Sequence, residues 1–223
     1  MDKPVLELRL LADVAMSDAP FRQLGQPAQQ RALRFANAAD RDAFVAGRVA
    51  LQEFAGSLLN VDPALLVPDY HCPQCGSGQD HGRPGFLLDG DPAPLVVSAS
   101  RASGWVLLAG VVHPGERLRL GVDLEAVDKI TFEGFDDVAL TAQEKQHVVS
   151  LPETRRDAAR ARLWARKEAW LKMTGKGLRT NPAEVEVLSR EGLLDLDLDR
   201  DLDLDRNLAA GEPQGLVAAL AVG

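Results

Sequence analysis

The first third of the chain combines one strand-like segment with two helix-like segments. Residues 4–14 begin with hydrophobic and polar residues in alternation, which predicts a β-strand. Residues 27–36 and 40–59 are predicted to be helices, and Asp40 stands near the start of the second one, where an acidic side chain favours a helix. Proline and glycine recur across residues 68–93, which predicts a loop region.

Short apolar runs and two further helices fill the rest of the sequence. The runs at 95–100 and 105–112 are predicted to be paired strands. Because both halves of the chain combine strands with helices, the sequence predicts an α+β protein of two similar subdomains, 1–110 and 111–223. Further strands are predicted at 118–127, 185–188, 194–199 and 215–222, and helices at 138–149 and 153–174.

Composition and charge narrow the class of protein. The chain has 223 residues, of which 46% are hydrophobic and 26% charged, so it can bury a core. Its net charge of -8 argues against a general nucleic-acid-binding protein. It has no apolar run long enough to span a membrane, and its charged start is unlike a signal peptide. We therefore expect a cytoplasmic protein that is not bound to a membrane.

The cysteines lie close together within the predicted loop region. Cys72 and Cys75 are the only two in the chain, and His71 and His81 flank them. Four zinc-ligand residue types within so short a segment would suit a small zinc knuckle. The spacing fits no common zinc pattern, however, and a reduced thiol pair in a polar loop is the alternative that a cytoplasmic location favours.

A repeat of leucine and aspartate occupies residues 194–206. In a strand, the leucines would lie on one side and the aspartates on the other. A calcium loop would need a glycine and a terminal bidentate glutamate at fixed offsets, and both are missing. The repeat is therefore interpreted as a solvated strand or loop.

Two carboxylates lie two residues apart in the strand predicted at 118–127. Asp123 and Glu125 would share one strand face with Gly121. Like charges in this arrangement repel unless they are well solvated or share a cation. An edge strand with a polar outer face is one interpretation, and a shared cation is the other.

The last predicted helix carries a second set of polar residues. Trp164, Glu168 and Lys172 fall four apart and share one face. An amphipathic helix with an exposed Glu-to-Lys pair would explain this pattern by itself. If Glu168 instead joins Asp123 and Glu125, three carboxylates from two rigid elements form a hard oxygen site suited to Mg²⁺. Because Mg²⁺ often binds substrate phosphates, such a site suggests phosphoryl chemistry.

The two motifs together resemble the paired signature of the 4′-phosphopantetheinyl transferases, in their larger, pseudo-dimeric, surfactin-synthetase-activating class. That signature is G-[IV]-D-x-E followed by [FW]-x-x-K-E-[AS]-x-x-K. This chain has GVDLE at 121–125 and WARKEAWLK at 164–172, and the likeness extends from the helix near residue 40 to the last strand. The matching residues are Gly121, Val122, Asp123, Glu125, Trp164, Lys167, Glu168, Ala169 and Lys172.

This resemblance implies an activity and a set of catalytic residues. Members of the family move the phosphopantetheine arm of coenzyme A onto a serine of a carrier protein and release adenosine 3′,5′-bisphosphate. Asp123, Glu125 and Glu168 would hold Mg²⁺, or Mn²⁺, on the pyrophosphate, and Lys172 would reach the phosphates. Glu168 would take the serine proton directly or through water, so the catalytic residues would be Asp123, Glu168 and Lys172. Trp164 and the second tryptophan of the WARKEAWLK motif would anchor the helix in the core.

The resemblance also implies contacts to coenzyme A. HGRP at 81–84 is similar to the family's Gly-Lys/Arg-Pro element, which would place Arg83 at the nucleotide end. Arg41 and Arg48 lie two turns apart on a helix where the family places cations for the 3′-phosphate. Each of these arginines could equally be an ordinary surface side chain.

A Ser-His-Ser element of the family is changed in this chain. Ser98 and Ser100 are present and would contact coenzyme A, but Ala99 stands where the family usually has histidine. One expected phosphate contact is thereby lost, and Arg101 is a candidate for a replacement cation. Two other functions remain open: a Mg²⁺-dependent phosphohydrolase that uses the same carboxylates, and a non-catalytic coenzyme A-binding homologue.

The expected partner is an acyl, polyketide or peptidyl carrier protein, and the pseudo-dimeric class implies a monomer. Residues 155–180 contain nine cations and two anions, a net charge of +7 within an acidic chain. A solvated helix balanced by acidic neighbours would explain them, whereas a docking role would steer an acidic carrier protein towards the site. The cations are Arg155, Arg156, Arg160, Arg162, Arg166, Lys167, Lys172, Lys176 and Arg179.

Overall fold

A computed structural model describes residues 3–15, 17–130, 132–202 and 213–223 of the chain. Helices and strands alternate along it, which confirms the predicted α+β class. The α-helices are α1 (Asp18–Gln23), α2 (Gly25–Ala32), α3 (Ala38–Leu59), α4 (Val127–Ile130), α5 (Phe135–Ala139), α6 (Ala142–Ser150) and α7 (Glu153–Thr174). The strands are β1 (Val5–Leu10), β2 (Leu66–Pro68), β3 (Tyr70–Cys72), β4 (Gly76–Gln79), β5 (Phe86–Leu88), β6 (Asp91–Pro92), β7 (Leu95–Ala102), β8 (Trp105–Val112), β9 (Leu120–Ala126), β10 (Leu193–Leu196) and β11 (Leu216–Val222).

The N-terminal part packs the long helix α3 against an antiparallel sheet of order β1-β8-β7. The predicted pairing of β7 with β8 is confirmed, and their connecting turn has positive φ at Ser103 and Gly104, 47° and 83°. Two consecutive residues with positive φ match the twist of a tight hairpin. Helix α3 begins where the side chain of Asn37 accepts the N–H of Ala39, and it ends at Asn60 in the left-handed conformation.

The C-terminal part repeats this arrangement with α7 on a sheet of order β10-β11-β9. Both long helices have 22 residues. Ala165 and Ala169 of α7 are fully buried, and such small side chains let the helix approach the sheet closely. The helix ends at Gly175, whose φ of 69° suits glycine.

The two sheets meet along β7 and β9. The hydroxyl of Ser98 in β7 accepts the backbone N–H of Val122 in β9 at 3.0 Å. A third apolar core, with side chains from β1, β8, β9 and β11, lies between the sheets. This contact brings the polar residues of β7 next to those of β9, and so joins the two halves of the candidate site.

Residues 185–188 differ from the sequence-based prediction, because they form no strand. Val185 and Val187 are buried, which explains the strand-like pattern. Their backbone groups bind side chains rather than a neighbouring strand: the carbonyl of Val185 accepts from Lys167, and the N–H of Val187 donates to Glu144 at 3.0 Å. Apolar alternation predicted the burial correctly but not the source of the hydrogen bonds.

Other boundaries also shift. The predicted loop at 68–93 contains the short strands β3 to β6, and α1 has no counterpart among the predicted elements. The helix predicted at 138–149 is two helices, because Thr141 forms a capping box with Glu144 and starts α6 there. Of the Leu-Asp repeat, only its first residues are a strand, and 203–206 lie outside the described residues.

The predicted division into 1–110 and 111–223 would cut through β8. A boundary in the connection at 113–119 would leave each long helix with its own sheet. The division into two subdomains stays a prediction. No helix in the described ranges is long and apolar enough to cross a membrane.

Candidate active site

Strand β9 presents its polar face to helix α7. Leu120, Val122 and Leu124 point into the core between the sheets. Because side chains alternate along a strand, Asp123 and Glu125 face the other way, towards α7. Asp123 is buried and Glu125 is partly buried, so neither is the exposed edge residue of the alternative interpretation.

Gly121 sets how closely α7 approaches this strand. A Cβ atom at this position would overlap the carbonyl oxygen of Ala169 and lie 2.6 Å from the backbone nitrogen of Met173. Only glycine therefore fits between the backbones of β9 and α7. The first residue of the GVDLE motif thus controls the distance across which Asp123 and the polar face of α7 interact.

Lys172, Asp123 and Ser100 form one hydrogen-bonded group contributed by three elements. The Nζ atom of Lys172 lies 2.6 Å from Oδ1 of Asp123 and 3.0 Å from Oγ of Ser100. Lys172 also donates to the carbonyl of Val122 at 3.1 Å, and the Ser100 hydroxyl donates to Asp123 at 2.8 Å. The second oxygen of Asp123, Oδ2, is buried and accepts no hydrogen bond from the described residues.

Glu125 and Glu168 complete the acidic cluster. Burial, followed by the charge of Asp123, raises the pKa of Glu125 to about 7, although Lys172 and a hydrogen bond from Trp164 oppose the shift. The pKa of Glu168 is raised for the same first two reasons. One lysine therefore does not compensate three carboxylates in a partly buried site.

The chemistry of these carboxylates fits a divalent cation. Hard oxygen donors suit Mg²⁺, and the partnerless Oδ2 of Asp123 points to a missing positive charge. Within the described ranges, only Cys72, Cys75 and His81 form a group of three or more such side chains whose ligand atoms all lie within 4.8 Å. The three carboxylates would therefore have to draw together around a cation.

A cavity of about 570 Å³ opens beside this cluster. Its wall includes Ser100 and Lys172 from the acidic end, and Arg31, Arg48 and Arg101 from the other end. Gly47 of α3 also lines it, and a Cβ at this position would overlap the side chain of Arg101. Residues of both long helices thus share one cavity with a cationic end, which suits an elongated anionic ligand.

The cationic end has an unsatisfied arginine at its centre. The guanidinium of Arg48 lies 3.7 Å from the ring centroid of Tyr70 and donates to the carbonyl of Asp80 at 2.7 Å. Its Nη1 atom is buried and has no partner among the described residues. Burial, and then the charges of Arg31 and Arg101, lower the pKa of Arg48 to about 9. An anion bound here would relieve this repulsion.

Comparisons with known proteins support the same chemistry. Residues 119–206, which hold the three carboxylates and Lys172, match the model of the 4′-phosphopantetheinyl transferase superfamily. The chain is also 26% identical over 211 residues to the 4′-phosphopantetheinyl transferase HetI of Nostoc sp. (strain PCC 7120), covering 88% of this chain and 79% of that protein. Residues 119–206 thus carry a domain of the 4′-phosphopantetheinyl transferase superfamily. Its paired motifs therefore lie in a phosphopantetheinyl transferase, with the acidic cluster at the junction of β7, β9 and α7.

Most, but not all, of the residues predicted to bind coenzyme A line the cavity of this transferase. Arg48, Arg83, Ser98 and Ser100 line the cavity, and Arg83 also donates to the carbonyl of Met173 at the end of α7 at 3.1 Å. Ser98 is buried, and its hydroxyl accepts the N–H of Val122 and so holds β9 against β7. Arg41 does not line the cavity and instead pairs with Asp42 at 2.8 Å.

Sequence reasoning missed several contributions to this transferase site. Arg31 of α2 joins the cationic end, and no motif marked it. Arg101, by contrast, was already a candidate from the sequence, and it lines the cavity. Trp164 does more than anchor α7, because it donates a hydrogen bond to Glu125 as well as packing edge-on against Phe135 at 6.0 Å.

A buried ion pair fixes α7 in the transferase. Lys167 and Glu144 are both fully buried, with Nζ and Oε2 2.7 Å apart. Lys167 also donates to the carbonyls of Pro182 and Val185, and Glu144 accepts the N–H of Val187. Lys167 of the Lys-Glu motif is therefore structural, whereas the adjacent Glu168 faces the site.

Proposed function

We propose that this transferase moves the 4′-phosphopantetheine arm of coenzyme A to a serine hydroxyl of a carrier protein and releases adenosine 3′,5′-bisphosphate. The observation that carries the proposal is the single cavity joining a cationic end to the acidic cluster at Asp123. In the reaction, the serine oxygen forms a bond to the phosphorus bearing pantetheine, and the phosphoanhydride bond breaks. The serine proton goes to a carboxylate, and the electron pair leaves with the adenosine bisphosphate.

The cationic end would bind the nucleotide phosphates. Arg31, Arg48 and Arg101 each line the cavity, and the partnerless Nη1 of Arg48 is a free donor for a phosphate oxygen. Arginine donors bind phosphate strongly when they are withdrawn from water. Arg83, which also lines the cavity, would bind a phosphate or the adenine edge.

The acidic end would perform the chemistry. Asp123, Glu125 and Glu168 would hold Mg²⁺ or Mn²⁺, and such an ion would supply positive charge to offset that of the phosphates. Lys172 would offset charge on the transferring phosphoryl oxygen. Glu168 would accept the serine proton, because burial raises its pKa and makes it a better base than an ordinary glutamate.

The decisive experiment incubates a panel of apo carrier proteins with the enzyme, coenzyme A and Mg²⁺, followed by mass spectrometry of the carriers. We expect the mass of one phosphopantetheine group to be added to an acyl, polyketide or peptidyl carrier. Free phosphopantetheine without carrier modification would instead indicate a phosphohydrolase. Metal-dependent binding of coenzyme A without turnover would indicate a non-catalytic homologue. We also propose that the enzyme is a monomer, since both ends of the cavity come from one chain.

Lys172→Ala should lower kcat by about 10²–10³-fold, because the lysine offsets charge that develops on the phosphates. Mg²⁺ binding should weaken far less, since removing the ammonium leaves all three carboxylates in place. Quench-flow or steady-state transfer assays measure the first effect, and isothermal titration with Mg²⁺ measures the second. An unchanged kcat would return Lys172 to a structural role on the surface of α7.

Ala99→His should leave transfer equal or improved and tighten coenzyme A binding by about tenfold, the value of one charge-assisted hydrogen bond. Ala99 lines the cavity on the same strand as Arg101, so an imidazole there could reach a phosphate. The gain should be larger at pH 6 than at pH 8, because the imidazole is then cationic. A severe loss of binding would show that the pocket is built around alanine.

We also propose that cations near the cavity guide an acidic carrier protein to the site, but not every cation of residues 155–180 is available for this role. Arg160 pairs with Asp136 through two contacts of 2.8 and 3.0 Å, so it is not free to guide a partner. Arg156 donates to the carbonyls of Leu151 and Val149. Charge reversal at either arginine would therefore disturb the structure as well as the surface.

Lys176 is the better test of docking. It is exposed and lies between Gly175 and Gly177, which both line the cavity mouth. Lys176→Glu should lower kcat/KM for an acidic carrier severalfold, while KM for coenzyme A changes less, because surface charge acts mainly on encounter. Raising salt should have the same effect, since the Debye length falls from about 10 Å at 0.1 M to about 3 Å at 1 M.

Arg162 provides the matched control, because it is exposed on α7 but lines a different depression with Thr154 and His147. Arg162→Glu changes the net charge equally and should leave kcat/KM for the carrier nearly unchanged. A flat salt dependence, or equal losses in both variants, would remove the proposed docking role of Lys176.

A further inference from the structure

Three potential metal ligands converge behind the cavity wall, next to the lining residues Pro73 and Gly82 and away from the acidic cluster. The ligand atoms of Cys72, Cys75 and His81 all lie within 4.8 Å of one another. Both cysteines are reduced. Cys72 is buried, His81 is partly buried and Cys75 is exposed, so a bound ion would be accessible from one side. Soft thiolates combined with imidazole suit Zn²⁺ rather than Mg²⁺.

The cysteines lie on a tight hairpin. Cys72 ends β3, and the turn through Gln74 and Cys75 leads into β4 at Gly76, which has a φ of 83°. The backbone N–H groups of Gln74 and Cys75 donate to the sulfur of Cys72, which holds this sulfur at the turn beside Cys75.

The third ligand is brought to the hairpin by backbone pairing. His71 and Arg83 exchange two backbone hydrogen bonds of 2.9 Å, which fastens the segment after His81 against β3. Gly82 has a φ of 97°, and a Cβ there would overlap the carbonyl of His71. The close approach requires glycine at this position and places His81 beside Cys72.

A carboxylate orients the histidine. Nδ1 of His81 lies 2.7 Å from Oδ1 of Asp80. Because a carboxylate only accepts hydrogen bonds, Nδ1 carries the proton and Nε2 is left as a metal ligand. Zinc-binding histidines commonly donate their second nitrogen to a carboxylate, which fixes the ring and strengthens the ligand. Asp80 therefore supplies the outer contact that a zinc site needs.

We propose that Cys72, Cys75 and His81 bind one Zn²⁺ ion, which fixes the loop 72–84 against the cavity. The fourth position would be filled by water, or by His71 after rotation of its side chain. His71 stands outside the converging group and contacts Ser77 at 3.4 Å instead. The convergence favours the metal knuckle over the free thiol pair, the two interpretations that the sequence left open.

The ion would act on the cavity through Asp80. The carbonyl of Asp80 accepts from Arg31 at 3.1 Å and from Arg48 at 2.7 Å, and its carboxylate pairs with Arg34 at 3.3 Å. A zinc-bound His81 would hold Asp80, and Asp80 would hold the arginines of the cationic end. The zinc ion would therefore position these arginines and take no part in the transfer chemistry.

The test is the zinc content of the full chain purified from zinc-supplemented medium, measured by mass spectrometry of the metal. We expect about one zinc per chain, as for other structural sites. Cys75→Ser and His81→Asn should each lose most of this zinc. His147→Asn, which removes an exposed imidazole of α6, should retain it. His71→Ala distinguishes the two candidates for the fourth ligand. Zinc is retained if water fills that position, and it is lost if His71 does.

Cobalt substitution provides a second readout. Reduced, metal-free protein titrated with Co²⁺ should develop thiolate-to-cobalt charge-transfer bands, which Cys75→Ser should weaken. Wild-type protein without zinc and without these bands would overturn the proposal. So would full zinc retention in Cys75→Ser, or a Cys72–Cys75 disulfide in protein kept under reducing conditions.

A kinetic consequence rests on the proposed transfer function. Cys75→Ser should raise KM for coenzyme A severalfold and change kcat less, because the acidic cluster lies on other elements. If no carrier is modified by any variant, the transfer proposal fails, but zinc content and cobalt spectra still decide the metal site.

Discussion

Replacing Asp123 with asparagine, or Glu168 with glutamine, should each lower phosphopantetheine transfer by on the order of 10³-fold or more. A metal ion contributes several kcal/mol of charge stabilisation, and each ~1.4 kcal/mol is a factor of ten in rate. Asp123 is buried, and its Oδ2 has no hydrogen-bond partner among the described residues, which leaves this oxygen available to a metal ion. Transfer assays at saturating Mg²⁺ measure the effect.

We expect both variants to keep the fold, because asparagine and glutamine have nearly the same shapes as aspartate and glutamate. Circular dichroism and the melting temperature should be close to those of the wild type, because the amide oxygen introduced by Asp123→Asn could still accept a hydrogen bond from Lys172. Glu153→Gln is the matched control, since Glu153 is exposed in the first turn of the same helix. It should retain full activity. Near-normal turnover in Asp123→Asn or Glu168→Gln would show that the metal site has been misassigned.

Lys167→Met should lower the free energy of unfolding by about 3–5 kcal/mol, the usual cost of removing one partner of a buried ion pair. The substitution leaves the charge of Glu144 buried and removes the ammonium donor from the carbonyls of Pro182 and Val185, of which Pro182 keeps the N–H of Val185. Burial lowers the pKa of Lys167, and the hydrogen bond and charge of Glu144 oppose this shift. Urea unfolding followed by tryptophan fluorescence measures the loss.

Two comparisons isolate the buried pair. Lys145→Met removes an ammonium that pairs with Asp137 at 2.7 Å on the surface of α6, and it should cost at most about 1 kcal/mol. The double variant Lys167→Met/Glu144→Gln should recover part of the loss, because no uncompensated charge remains. A loss in Lys167→Met no larger than in Lys145→Met would contradict the structural role assigned to the pair.

Much of the catalytic chemistry can be predicted from two short motifs. Alternation along β9 predicts that Asp123 and Glu125 share a face, and helical spacing in α7 predicts that Glu168 and Lys172 share one too. Both patterns are local, because a strand repeats every two residues and a helix about every four. The paired motifs also carry the resemblance that the family comparison supports.

Spacing along the sequence could not predict the long-range contacts: Arg48 and Arg101 were candidates only through the family resemblance, and Arg31 was not predicted. The cationic end needed Arg31 of α2, Arg48 of α3 and Arg101 of β7 in one place, and no sequence spacing relates them. Arg41 and Arg48 share a helical face, yet only Arg48 reaches the cavity. Periodicity gives a direction around one helix, but it does not say which neighbouring element covers each part of that face.

The sequence by itself determined the elements and the types of ligand: a carboxylate pair on one strand, a Glu-Lys pair on one helix, and two thiols with two imidazoles in one loop. The tertiary structure decided which of them meet. It places His81, rather than His71, beside the two thiols. It also buries Lys167 but leaves Glu168 at the site. The physical reason is that backbone spacing fixes the direction of a side chain, whereas the close packing of β9 against α7 and of 81–83 against β3 fixes its neighbours.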